Sequence, residues 1–252
     1  MIKRTSAFIF AVFAIIAIAE SSARAQQAPA FSNDLMMDDQ TYVYFIADRL
    51  EYYSTAGANS VQWDLQSYVG NNMNKLWIKA EGEALLRRKE GEMEFQGLYN
   101  RAITSYFSLQ TGLRYDIAYH QSSHQSRGLA VIGLQGMAPY FFEVDGNLFI
   151  SEAGNISANL EAEYDMPITQ RLWAQPRIAT SVAVQEVPEW GVGSGWNNIQ
   201  LGLRFRYEIK REMAPYIGIS WNRKLGETAD FAQLESEQAS TFGLVGGLRM
   251  WL

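Results

Sequence analysis

Between Phe107 and His120 the chain reads FSLQTGLRYDIAYH, and its side chains sort by parity. In an extended strand successive residues point to opposite faces, so Phe107, Leu109, Leu113, Tyr115, Ile117 and Tyr119 share one face. Ser108, Gln110, Arg114, Asp116 and His120 share the other. A strand of this length, apolar on one side and charged on the other, does not fit inside a small soluble core, where strands average roughly five or six residues. The pattern therefore asks for two different environments.

The same period recurs through the chain after Tyr42. IQLGLRFRYEI sets Ile199, Leu201, Leu203, Phe205, Tyr207 and Ile209 against Gln200, Gly202, Arg204, Arg206 and Glu208. NKLWIKAEGEA sets Leu76, Ile78 and Ala80 against Lys75, Lys79, Glu81 and Glu83, and SVQWDLQS, FEVDGNLFI and ISANLEAEYD behave alike. Alternation alone also suits a soluble sandwich. The connections tip the reading: short steps such as RAITSY, GMAPY, YDMPITQ and IKREMAP alternate with looser stretches such as STAGANS, RRKEGE, HQSSHQSRG, QEVPEWGVGSGWNN and GETADFAQLESEQAS. Segments of about ten alternating residues, with short turns on one side and long loops on the other, predict an antiparallel up-and-down transmembrane β-barrel of about 12 strands over residues 42–252. An even strand count places both ends of the barrel on the short-turn side, and Trp63, Tyr99, Tyr115, Tyr119, Tyr207 and Trp221 suit interfacial girdles. The outer-membrane lipid is then the first partner.

Residues 1–25 read as a signal peptide: Lys3 and Arg4, an apolar run from Ala7 to Ala19, and the small-residue site Ala23–Ala25. That run is shorter than the roughly 20 residues of a spanning helix. Residues 26–41 carry no period and read as a flexible segment. The 252 residues contain no cysteine, which excludes disulfides and thiolate sites, and a formal charge of −6 shows no basic footprint for nucleic acid.

The polar parities converge on a lumen. Arg114, Asp116, Glu161, Glu163, Arg204, Arg206 and Glu208 are its expected charges, joined by Lys75, Lys79, Glu81, Glu83 and Arg177. They fill the bore as ion pairs or set the charge of a selective passage. For a metal, the candidates are Met36 and Met37, followed by Asp38 and Asp39, and the two histidines, His120 and His124. Thioethers favour Cu(I), imidazole suits Cu(II) or zinc, and carboxylates alone discriminate poorly. The serines near His120 supply hydroxyls without a placed base, so no enzyme is expected.

One stretch, GSGWNNIQLGLRFRYEIKREMAPYIGISWNRKLGETADFA from Gly193 to Ala232, resembles the copper resistance protein B family of bacterial outer membranes. NKLWIKAEGE, LQTGLRYD, LQGMAPYFFEVDG and LEAEYDMPITQRLWAQPR resemble it in the same order, and the similarity spans residues 45–252. The resemblance implies a barrel of the bacterial outer membrane that sequesters copper ions or helps export them at the envelope, with a periplasmic copper protein as a further partner. The family's Met- and His-rich tract is reduced here to LMMDD, Leu35–Asp39. The alternative is a narrow porin or structural envelope barrel without specific metal binding.

Overall fold

A backbone that crosses lipid must pair every donor and acceptor within the protein, because hydrocarbon offers no partner, and a sheet meets that demand only by closing on itself. In the computed structural model, which describes residues 40–56, 59–86, 90–120, 123–234 and 237–252, the chain does so. Its strands are β1 (Tyr42–Thr55), β2 (Asn59–Gly70), β3 (Asn74–Leu85), β4 (Glu90–Ala102), β5 (Phe107–His120), β6 (Ser123–Ala138) and β7 (Phe142–Ser151). They continue with β8 (Ile156–Tyr164), β9 (Met166–Pro167), β10 (Leu172–Ala183), β11 (Gly195–Tyr207), β12 (Met213–Lys224) and β13 (Ser240–Trp251). β8 and β9 flank Asp165 and pair with successive parts of β10, so together they make one stave of a twelve-stave ring. Each stave is antiparallel to its neighbours, and β13 on β1 closes the barrel. One helix, α1 (Gly226–Leu234), stands in the β12–β13 loop.

The strands sort their faces as the alternation requires. Leu113 and Ile217 are 71% exposed, and Leu76, Ile78, Ile132, Leu160 and Leu244 are likewise exposed on the outer face, which makes sense only if lipid covers them. On that face Trp63 lies over Gly82 and Tyr119 over Gly91; a Cβ on either glycine would come 2.4 Å from the ring or its hydroxyl. The loop segments 152–155, 184–194 and 225–234 stand at one end. The short turns stand at the other, where Leu252 exchanges backbone hydrogen bonds with Phe45.

Two expectations change. The stretch HQSSHQSRG is not a loose loop: β5 runs to His120, β6 starts at Ser123, and these two residues pair. A continuous ladder extends the strands where polarity suggested a loop. The inward parity is also not wholly polar. Leu98, Leu129, Val131 and Phe149 form a buried cluster inside the barrel with Trp77 packed against it, and at the short-turn end Tyr44, Tyr68 and Trp77 stack at 5.3 and 4.8 Å. Residues 1–39, including the expected signal peptide and nearly all of the 26–41 segment, lie outside the described residues.

Leu113 sits mid-strand on the outer face, so Leu113→Arg is expected to cost about 2–4 kcal/mol of unfolding free energy in vesicles. Urea titration in lipid measures it; a near-zero change would place this face in water.

Candidate functional site

The site begins with an irregularity in β1. Ala47 pairs with Leu65 and Arg49 with Asp64, so Asp48 is an extra residue, and the ladder to β13 slips at the same place. A bulge of this kind re-aims side chains. It turns both Asp48 and Arg49 inward, where Asp48 meets Arg249 at 2.7 Å and Arg49 meets Asp64 at 2.9 Å.

With Arg49 in place, one rung of directly paired residues crosses six strands: Arg49, Asp64, Glu81, Glu94, Asp116 and Arg127. Four adjacent carboxylates lie between two arginines. Like charges opposite one another on a sheet repel, so the rung stands only with cations beside it. Arg49 reaches Glu81 at 3.6 Å, Arg114 bridges Glu94 and Asp116 from the next rung, and Arg127 meets Asp116 at 2.9 Å. A second like pair, Glu83 and Glu92, lies one rung toward the long loops. The rung borders a cavity of about 650 Å³ at the long-loop end, in whose lining seven carboxylates face five basic residues among the described residues.

Beyond the rung, further ion pairs link strands within the bore. Lys79 Nζ lies 2.8 Å from Asp145, joining β3 to β7. Arg177 spans Glu161 and Glu163. Arg204 donates through Nε and Nη2 to Glu51 at 3.1 and 3.0 Å, and Tyr216 Oη donates to the same carboxylate at 3.0 Å. Space for that trio is left by glycine: a Cβ at Gly218 would come 2.3 Å from the Leu203 carbonyl, and one at Gly247 would come 2.6 Å from Tyr216 Oη. Arg206 meets Asp165 at 2.7 Å.

The long-loop end carries a fixed cover. The 184–194 loop is pinned by the Val187–Val192 bridge. Gly193 N–H donates to Thr228 Oγ1, and the Ser194 N–H and hydroxyl donate to Glu227, each at 2.8–2.9 Å. From this loop Trp190 lies 4.1 Å from the Arg127 guanidinium. The Ser194 amide, and then its hydroxyl, hold the Glu227 carboxyl below its usual range.

Of the charges expected in the lumen, Arg114, Asp116, Glu161, Glu163, Arg204 and Arg206 form the contacts above. Glu208 stands past the end of β11, its N–H on the Arg171 carbonyl at the short-turn rim. His124 pairs with Tyr119 and His120 with Ser123, so positions 120 and 124 take opposite parities of the ladder. Met36 and Met37 lie outside the described residues. Arg49, Glu51, Asp64, Glu94, Arg127 and Trp190 are the residues that sequence reasoning missed. Only the partner strands, not the local spacing, reveal them.

The family model for copper resistance protein B precursor matches residues 41–252. A copper resistance protein B homolog of Pseudomonas syringae pv. tomato is 36% identical over 228 residues, 90% of this chain and 76% of that one. The chain belongs to the copper resistance protein B family. Copper resistance protein B of Escherichia coli is 36% identical over 209 residues, 82% of this chain and 68% of that one. In fold, the NanC porin matches with a TM-score of 0.52 at 10% identity, over 83% of this chain and 99% of that one. The KdgM porin matches at 0.50 and 9%, over 83% and 98%. This copper resistance protein B family member is thus an outer-membrane barrel. The stretch Gly193–Ala232 that carries the sequence resemblance holds both halves of the loop latch and Arg204.

Arg204→Met leaves Glu51 buried without its cation and is expected to cost about 3–5 kcal/mol, with part regained in the Glu51→Met, Arg204→Met pair. A double-mutant cycle by urea unfolding reads this, and additive losses would deny the coupling. The latch has its own pH dependence. Because the folded carboxyl of Glu227 is depressed, its contribution is complete above the unfolded carboxylate range and is lost as pH falls through the lowered value. The protection factor of the Ser194 amide, from which the intrinsic pH dependence of exchange is divided out, should fall in acid in the native chain, and Glu227→Gln should remove that acid dependence.

Proposed function

We propose that this chain gives the cell tolerance to copper from the outer membrane, by drawing copper ions into the anionic long-loop half of the lumen and sequestering them or helping export them at the envelope. No reaction is catalysed. The observation that carries the reading is the rung of four neighbouring carboxylates bordering a cavity with excess negative charge. A low-dielectric wall lined with one sign of charge concentrates counter-ions, and membership of the copper resistance family names the ion.

The donors set how the ion is held. Carboxylates are hard oxygen ligands that bind divalent copper without strong discrimination. Among the described residues no three His, Asp or Glu side chains group to hold a metal. The lumen therefore suits transient reception, and tight binding falls to Met36 and Met37, whose thioethers favour Cu(I). A periplasmic copper protein would meet the barrel at its short-turn end. The second reading, a structural barrel or narrow porin, is supported by the filled inner half, where Lys79–Asp145 crosses the bore beside the Trp77 and Phe149 cluster.

Deletion of the gene is expected to change copper tolerance, restored by the intact chain. Glu81→Gln with Glu94→Gln should weaken rescue if the rung receives the ion, and Met36→Ala with Met37→Ala should weaken it if the segment holds it. Unchanged tolerance in the deletion overturns the copper reading.

A further inference from the structure

Taking the copper reading of the lumen as given, we infer that Trp190 is a specificity-determining positioning residue: it holds Arg127 on Asp116 and so decides how strongly the carboxylate rung competes for an incoming divalent cation.

The geometry comes from three elements. Arg127 on β6 closes the end of the rung, its Nε 2.9 Å from Asp116 Oδ2. Trp190 lies against the guanidinium from the 184–194 loop at 4.1 Å. An aromatic face attracts a cation through its quadrupole, most strongly for tryptophan. The loop that carries the ring is hydrogen-bonded to itself and packed on α1. Val187 and Val192 exchange backbone bonds at 2.7 and 3.2 Å, Trp190 N–H donates to Val187 at 2.9 Å, and Gly191 turns the chain at φ 61°. Gly193 then packs so closely on α1 that a Cβ there would come 2.5 Å from Glu227 Cβ.

Trp190 and Arg127 both line the same cavity as Glu81 and Glu94. Arg114 holds the same carboxylate from the next rung, so a cation that takes Asp116 competes with both arginines, and to displace Arg127 it must also break the stack on Trp190. The pair thus acts as a tethered counter-ion. Weakly attracted monovalent ions leave it in place, whereas a divalent ion competes for the carboxylate.

The test uses the full chain refolded into planar bilayers and detergent, with folding checked by heat-modifiable migration. Trp190→Ala and Arg127→Gln should shift the KCl-gradient reversal potential toward cation selectivity and raise Cu(II) and Zn(II) affinity in equilibrium dialysis. About two- to fivefold is expected for the tryptophan, the worth of one exposed cation–π contact. Trp190→Phe and Arg127→Lys, which keep a ring and a charge, should stay near the native chain. Reversal potentials and affinities equal to the native values in Trp190→Ala and Arg127→Gln overturn the inference. If no variant passes current, the dialysis affinities alone decide on the same criterion. A shift in potassium over chloride selectivity without any copper binding would overturn the copper reading and leave the role of Trp190 standing.

Discussion

Lipid cannot hydrogen-bond a peptide group, and the rest of this molecule follows from that single deficiency. The sheet must close, the closed sheet has an inside, and the period of two then delivers every second side chain to it. Leu113 and Arg114 are neighbours in sequence and occupy opposite solvents for this reason alone. No local preference for charge or burial needs to be invoked. Closure also explains why the apolar residues of the outer face are among the most exposed in the chain.

What the inside does with its charges is a second matter. Ions removed from bulk water lose hydration that only close partners can replace, and the lumen replaces it unevenly. Around Glu51 the replacement is complete: Arg204 and Tyr216 saturate one carboxylate, and glycines on the neighbouring strands make the room. Along the rung from Asp64 to Asp116 it is incomplete, because acids outnumber the bases that reach them. The first arrangement ties β1 to β11 and β12. The second leaves net negative charge beside the cavity at the long-loop end.

Much of this was legible in the chain as written. The alternation gave the barrel and its approximate strand number, and it put Arg114, Asp116 and Arg177 on the wet face, where they pair. Partners could not be read, since Glu51 and Arg204 are 153 residues apart and Lys79 and Asp145 are 66 apart. Such contacts depend on strand tilt and stagger, which no local pattern encodes. Nor could the bulge be read: Asp48 and Arg49 look like consecutive charges of opposite parity until the ladder skips one of them. Leu98, Leu129 and Phe149 break the polar parity because the bore also needs packing, not only solvation. Polarity misled at HQSSHQSRG, where the ladder continues past the point at which composition suggests it stops.

The bulge in β1 has a consequence of another kind. It brings Arg49 to one end of the rung, with Arg127 at the other and Arg114 reaching in from the next rung, and even so four carboxylates meet only three guanidinium groups. A proton or a small cation from the surrounding water would complete the balance. A bore with that imbalance would act as a weak ion exchanger one molecule wide, trading its counter-ions with the medium.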